Sequence, residues 1–389
     1  MLTSLAYIFL VGMPCAWIFK KLGLPGFLGM LLAGMLLGPP VLGVLDDSLL
    51  NISADLRQVA LVVILTRVGL SLDLNDLKKV GRPAVLMCFV PATCEIAGIM
   101  LLAPSLLGVS LLDAAIIGAV VAAVSPAVVV PRMLHLMEQG YGKEKSIPQL
   151  IMAGASVDDV YVIVLFTTFV GMAAGQGFSA MKIMQVPLAA ACGIAAGCAV
   201  GWGLVKWFRR FHMRDTVKVL IVLSISFLFI AFEKTKLIPF AGLLAVIGCG
   251  IMILKLYPEL AQRLAAKFGK LWVGAEILLF VLVGAAVDLR YAAAAGGMII
   301  LVVVGALLCR MAGVWGCLLG TRLNRRERLF CMLAYIPKAT VQAAIGAVPL
   351  GMGLGCGRTV LSVAVISIVL TAPLGALAID RTCKKLLNG

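Results

Sequence analysis

Long apolar runs separated by short polar loops fill this chain from end to end. About 20 apolar residues make a helix that crosses a bilayer, and fewer suffice where the helix is broken or flanked by protein. The pattern predicts thirteen such spans, at 2–19, 27–44, 56–72, 83–107, 111–131, 149–173, 186–206, 217–233, 238–254, 271–288, 293–319, 330–350 and 360–379. The first has the apolarity of a secretory signal, but no small-residue cleavage site precedes a soluble domain, so it reads as a true span.

Composition narrows the class. Of 389 residues, 62% are hydrophobic and 13% charged, against roughly 45–50% and 25% in soluble domains. This excludes a cytosolic enzyme, a disordered chain and a secreted disulfide scaffold. It predicts an all-α polytopic membrane protein that is not an enzyme. The net charge is +15, but the basic residues are scattered through short loops and form no phosphate-binding stripe, so no nucleic acid partner is expected. The eleven Cys lack any C-x-x-C spacing and read as small core residues. His135 and His212 lie in or beside loops and cannot build a metal site between them.

The loops give direction. Taken alternately, one set of loops with the C-terminus holds 24 Lys and Arg and the other set holds 6. The positive-inside rule then puts the N-terminus outside and the C-terminus in the cytoplasm. No targeting peptide is evident, so a bacterial inner (plasma) membrane is the expected site. No regulatory extension is expected at either end.

An internal repeat emerges next. Val68-Gly69-Leu70-Ser71-Leu72-Asp73-Leu74 in span 3 resembles Val283-Gly284-Ala285-Ala286-Val287-Asp288-Leu289 in span 10, at an offset of 215. Leu24-Pro25-Gly26-Phe27 echoes Ile238-Pro239-Phe240-Ala241 nearby. Seven spans separate the copies, so they run in opposite directions, as in the inverted repeats of secondary transporters. The predicted organisation is a first repeat over 1–180, a connector span over 181–215 and a second repeat over 216–389. Ser125-Pro126 and Pro131 in span 5 match Ile336-Pro337 and Pro349 in span 12. Each proline removes a helical hydrogen bond and clashes with the preceding turn. A crossed pair of broken helices at the midplane is predicted.

Ionisable groups inside spans cost at least about 2.5–3.5 kcal/mol each, so each needs a reason. The set is Asp158 and Asp159 in span 6, Glu95 in span 4, Arg310 in span 11, Lys338 in span 12, Arg67 in span 3 and Glu276 near the start of span 10. Glu95 and Arg310 are separated by the repeat offset and read as a salt bridge or as part of transport. Arg67 reads as snorkelling, and Glu276 as structural or gate-lining. Three acids, Glu95, Asp158 and Asp159, balance three bases, Arg67, Arg310 and Lys338, in a neutral central set. A carboxylate that trades a proton for a metal cation is the minimal requirement for antiport, and Asp159 and Asp158 are the candidate ion- and proton-binding groups. Hard monovalent cations prefer oxygen ligands, which suits Na⁺ or Li⁺ on Asp159 with broken-helix carbonyls. Ser156, Ser125, Thr340 and Gln342 are possible additional ligands. No resident cofactor is expected.

Ser125-Pro126-Ala127-Val128-Val129-Val130-Pro131, Asp158-Asp159 and Ile336-Pro337-Lys338-Ala339-Thr340-Val341-Gln342-Ala343-Ala344-Ile345-Gly346 closely resemble the cation/proton antiporter superfamily, with the NHA-type sodium/proton exchangers as the nearest branch. The resemblance implies a homodimer with a core domain from spans 3–6 and 10–13, a dimerisation domain from the remaining spans, and elevator-type alternating access. It implies that Asp159 binds ion and proton, that Asp158 neighbours Lys338, and that Glu95 and Arg310 match an acidic and an arginine residue of the branch. One departure stands out: Val124-Ser125-Pro126 replaces the Thr-Asp-Pro of many relatives, so charge compensation at the crossing must differ. The alternative is a sodium-coupled organic-anion symporter on a similar inverted-repeat fold. An intramembrane aspartyl protease is excluded, because its two carboxylates must face each other from different helices.

Overall fold

The computed structural model describes residues 1–39, 41–71, 81–142, 144–176, 180–211, 213–235, 238–287 and 289–387, and these form helices and connecting turns with no strand among them. Asp73, Leu74, Asp288 and His212, and the side chain of Ser156, lie outside the described residues. The helices are α1 (Leu2–Lys21), α2 (Gly26–Leu37), α3 (Asp47–Asn51), α4 (Ser53–Ser71), α5 (Arg82–Met87), α6 (Val90–Leu107), α7 (Leu111–Val121), α8 (Pro126–Glu138) and α9 (Ile147–Gly171). After a π-helical turn at Met172–Gln176 follow α10 (Ala180–Arg210), α11 (Asp215–Thr235), α12 (Gly242–Leu256), α13 (Pro258–Ala285), α14 (Leu289–Cys317), α15 (Arg325–Ala334), α16 (Thr340–Gly346), α17 (Val348–Gly351) and α18 (Gly357–Leu386).

Among the described residues, eight helices are long and apolar enough to cross a membrane, and shorter apolar helices accompany them. Large apolar side chains face outward, with Leu2 81% and Leu101 77% exposed. An aqueous surface would penalise that exposure, whereas lipid solvates it. The chain is therefore a multi-pass, all-helical membrane protein.

The predicted breaks are present. Span 5 is α7 and α8, with Ala122–Ser125 unwound between them. Span 12 is α15 and α16, separated by Tyr335–Ala339, and then α17. In both breaks the residue before the proline, Ser125 or Ile336, is disfavoured in helical geometry, which keeps the chain non-helical up to the proline. Pro126 then opens α8 from its first position, where no donor is needed. Span 4 carries an interruption that the apolar run concealed. α5 and α6 meet at Cys88–Phe89, and Pro91 stands in the first turn of α6.

The chain forms two compact units. One comprises Met1–Ala54, Asp73–Ala174 and Phe280–Gly389, and the other Asp55–Leu72 and Gly175–Leu279. In the first unit, small residues bring α6 and α14 together. A Cβ added at Gly98 would lie 2.9 Å from the Cys309 sulfur, and one at Gly313 3.0 Å from the Cys94 sulfur. Partners rise along one helix as they fall along the other, so the pair is antiparallel. The two contacts also exchange under the repeat offset of 215, as a two-fold relation between the repeats requires. Gly34 and Gly38 of the α2 segment meet Val281 and Ala285 of α13 in parallel register. In the second unit, Gly193, Gly197 and Gly201 of α10 sit on the backbone of Ala241, Ala245 and Cys249, again in parallel. Small residues at four-residue spacing permit this close approach within a membrane. All three registers agree with the alternation of direction expected for spans 4 and 11, 2 and 10, and 7 and 9.

Gly375 of α18 lies beneath the second break, where an added Cβ would fall 2.6 Å from Pro337 Cδ and 3.0 Å from its nitrogen. Overpacking of this kind costs about 1–3 kcal/mol. Gly375→Ala therefore lowers the melting temperature of the detergent-solubilised protein. Gly316→Ala, whose added methyl meets nothing within 4 Å and replaces glycine inside a helix, does not lower it.

Candidate functional site

The broken helices cross and touch within the first unit. The backbone N–H of Ser125 donates to the Pro337 carbonyl at 2.8 Å. Gln342, in the first turn of α16, clamps the crossing. Its Nε2 donates to the carbonyls of Ala123 at 2.8 Å and Val121 at 3.3 Å, and its Oε1 accepts from the Ala339 N–H at 2.8 Å. The amide proposed from sequence as an ion ligand is thus occupied in tying the unwound segments together.

Arg310 of α14 holds the centre and is 1% exposed. Its Nη1 donates to Glu95 Oε2 at 2.8 Å and to the Ala122 carbonyl. Its Nη2 donates to Asp158 Oδ2 at 2.8 Å, and its Nε to the Tyr335 carbonyl at 3.0 Å. Ala122 and Tyr335 end the two first half-helices, where the helix dipole leaves partial negative charge. The Tyr335 ring lies under the guanidinium, 5.3 Å from centroid to Cζ. Lys338 of the second break is fully buried. Its Nζ donates to Glu95 Oε2 at 2.8 Å, and its backbone N–H to Thr371 Oγ1 at 3.0 Å. Glu95 is therefore shared by both cations. The resemblance implies that Asp158 neighbours Lys338; the ion pairs in this cluster are Lys338 with Glu95, Arg310 with Glu95 and Arg310 with Asp158.

Successive helical side chains point about 100° apart, and the two aspartates accordingly have different fates. Asp158 accepts from Arg310 and also from the Val124 N–H at 3.0 Å, at the positive end of α8. Asp159 is 3% exposed and takes part in no ion pair among the described residues. Its Oδ1 is without a hydrogen-bond partner there, as are Glu95 Oε1, Asp158 Oδ1, Ser125 Oγ and Tyr335 Oη. Thr340 opens α16 and is buried.

Arg67, counted from sequence as the third base of the set, is exposed, and its guanidinium packs near Gly269 in the second unit. The buried cluster thus has three carboxylates against two cations. Its formal charge is −1, and Asp159 is the group left over. Sequence reasoning missed Tyr335, Thr371 and the Ala122 carbonyl. Backbone acceptors carry no residue signature, and only the position of Tyr335 just before Ile336-Pro337 pointed to it.

Removing one partner of a buried ion network costs about 3–5 kcal/mol, because the others remain charged and buried. Arg310→Ala is expected to lose that much in detergent melting experiments. Arg310→Lys restores only part, since an ammonium cannot reproduce a planar fork reaching four acceptors. Equal melting of all three proteins would contradict the central role given to Arg310.

A sequence profile of transmembrane sodium/hydrogen exchangers matches residues 5–385. Sodium/hydrogen exchanger 9B2 of Mus musculus is 34% identical over 379 residues, covering 94% of this chain and 69% of that protein. The Homo sapiens protein of the same name is 34% identical over 382 residues, covering 94% and 70%. The solved structure of the sodium proton antiporter MjNhaP1 from Methanocaldococcus jannaschii at pH 8 superposes with a TM-score of 0.85 at 20% identity, over 100% of this chain and 99% of that one. That likeness shows a shared fold. With its crossed broken helices, its buried charge cluster and these relatives at one third identity, the chain belongs to the transmembrane sodium/hydrogen exchanger family.

Proposed function

We propose that this protein exchanges Na⁺ or Li⁺ for protons across the inner membrane, with Asp159 as the group that holds either the proton or the metal ion. One observation carries this reading: the buried cluster is one positive charge short, and Asp159 is the acid without an ion partner. A bare buried carboxylate costs several kcal/mol in this setting. A proton or one monovalent cation brings the cluster to neutrality. The loaded core can then cross a hydrophobic barrier that the empty core cannot, which supports elevator-type alternating access. Ser125 and Thr340, and Ser156 one turn before Asp159, are candidate additional ligands. Glu95, Arg310 and Lys338 supply the compensating charge and the coupling. The same charge count weighs against an organic-anion symporter, because a site of formal charge −1 repels an anion.

The proposed architecture is a homodimer of thirteen-span protomers. The charged cluster sits on a mobile core of spans 3–6 and 10–13, and the other spans form the dimerisation domain. The loop bias of 24 basic residues to 6 supports an external N-terminus and a cytoplasmic C-terminus.

Asp159→Asn should abolish sodium-driven proton flux in proteoliposomes while the protein still folds, because no described ion pair is broken. Retained flux would contradict the assignment. A single leftover carboxylate also predicts one ion per proton. A potential imposed across the liposome membrane should then leave the equilibrium sodium gradient unmoved, and a potential-driven gradient would require a second exchanging group.

A further inference from the structure

Tyr335 follows α15 and is 1% exposed, and its hydroxyl has no hydrogen-bond partner among the described residues. The phenol reaches α9. A Cβ added at Gly154 would overlap Tyr335 Oη and would lie 3.0 Å from Met87 Cβ. Gly154 and Asp158 are four residues apart and share a face of that helix. Asp158 is fully buried; its Oδ2 is held by Arg310 and by the Val124 N–H, while its Oδ1 has no such partner. Met87 is equally buried and closes α5. In a continuous helix its carbonyl would accept from the residue four places on. That residue is Pro91, which has no N–H to give. One buried donor and two buried acceptors therefore stand together where α5, α9 and the end of α15 meet. We propose that an ordered water molecule binds at this point, accepting from Tyr335 Oη and donating to Asp158 Oδ1 and to the Met87 carbonyl.

The separation suits one water. Cβ positions four residues apart on a helix lie about 5–6 Å from each other. The hydroxyl stands where the Cβ of residue 154 would be, so it is about two hydrogen-bond lengths from the Asp158 carboxylate, the reach of a single bridging molecule. Buried waters typically make about three hydrogen bonds to polar groups that would otherwise be unmatched, and this arrangement supplies three. Leaving the phenol and the carboxylate oxygen unanswered would cost about 1–3 kcal/mol for each group. An alkali cation would also find oxygens here, but it would stand beside the Arg310 guanidinium and leave the phenol proton without an acceptor. The site gives a reason for two features of the sequence. Glycine at 154 leaves room for the hydroxyl, and proline at 91 keeps the Met87 carbonyl open. The counterpart of Pro91 at the repeat offset of 215 is Ala306, inside the unbroken α14, so this break belongs to one copy only. With water on Oδ1 and Arg310 on Oδ2, both oxygens of Asp158 are engaged.

The test is X-ray radiolysis of the full chain in detergent, which makes hydroxyl radicals from bound as well as bulk water, with mass spectrometry to read the oxidised side chains. Met87 and Met133 are both 0% exposed and lie in the same apolar cluster, so exposure does not separate them. Met87 should oxidise and Met133 should not. Tyr335→Phe removes the donor and keeps the ring, and should bring Met87 down to the level of Met133. Pro91→Ala returns an N–H to the Met87 carbonyl and should do the same without touching the charge cluster, which keeps the test open if the first variant fails to fold. Asp159→Asn, which stops flux if the exchange assignment holds, should leave Met87 oxidised, so the two readings fail separately. Equal oxidation of Met87 and Met133, or oxidation of Met87 that persists in both Tyr335→Phe and Pro91→Ala, would overturn the proposal. So would suppression of Met87 oxidation by added sodium, which would make the occupant a cation.

Discussion

A membrane interior offers no water, so every charge and every open helix end must be answered by another part of the protein. Breaking two helices at the midplane creates four such ends at once. Arg310 answers two of them, taking the Ala122 and Tyr335 carbonyls at the negative ends of α7 and α15. With its remaining donors it pairs Glu95 and Asp158. The positive end of α8 is met by Asp158 through the Val124 N–H, and the start of α16 by the Gln342 side chain. Only a guanidinium has enough donors, in a rigid enough fork, to join two carbonyls and two carboxylates.

That arrangement determines what is left for transport. Glu95 and Asp158 are consumed in stabilising the crossing, and Lys338 is consumed by Glu95. Asp159, one residue further along α9, points about 100° away from Asp158 around the helix and takes part in none of these ion pairs. Adjacency in sequence therefore places an acid paired with Arg310 and an acid outside the described ion pairs side by side. The unpaired oxygens of Ser125 and Asp159 have the character of ligands for a small hard cation.

Much of this was legible in the sequence, for identifiable reasons. Apolar runs of membrane length are redundant signals, and proline marks a helix break whatever surrounds it. The repeat is visible because Val68-Gly69-Leu70 and Val283-Gly284-Ala285 stand at an offset of 215, and Glu95 and Arg310 keep the same offset. The pairing scheme was not visible. Arg67 was placed in the charge set because position along a span says nothing about the face a side chain takes, and it is exposed. Gln342 reads from sequence as a possible additional ligand, and an amide near a charge cluster looks the same there whether it holds an ion or, as its hydrogen bonds show, the backbone. The interruption between α5 and α6 was hidden because hydropathy does not register a missing hydrogen bond.

The inverted repeat explains why one arginine suffices. Glu95 and Arg310 occupy equivalent positions and touch each other, so they lie where the two copies meet. A side chain there is in reach of both broken spans, and Arg310 takes corresponding carbonyls from each. The equivalent position in the other copy is then free to be acidic, and Glu95 uses it to neutralise Lys338 from the second break. This accounts for Val124-Ser125-Pro126 in span 5. An acid on the broken helix itself would add a fourth carboxylate beside two cations. With Glu95 supplying the counter-charge from span 4, a neutral serine at the crossing keeps the deficit at a single charge.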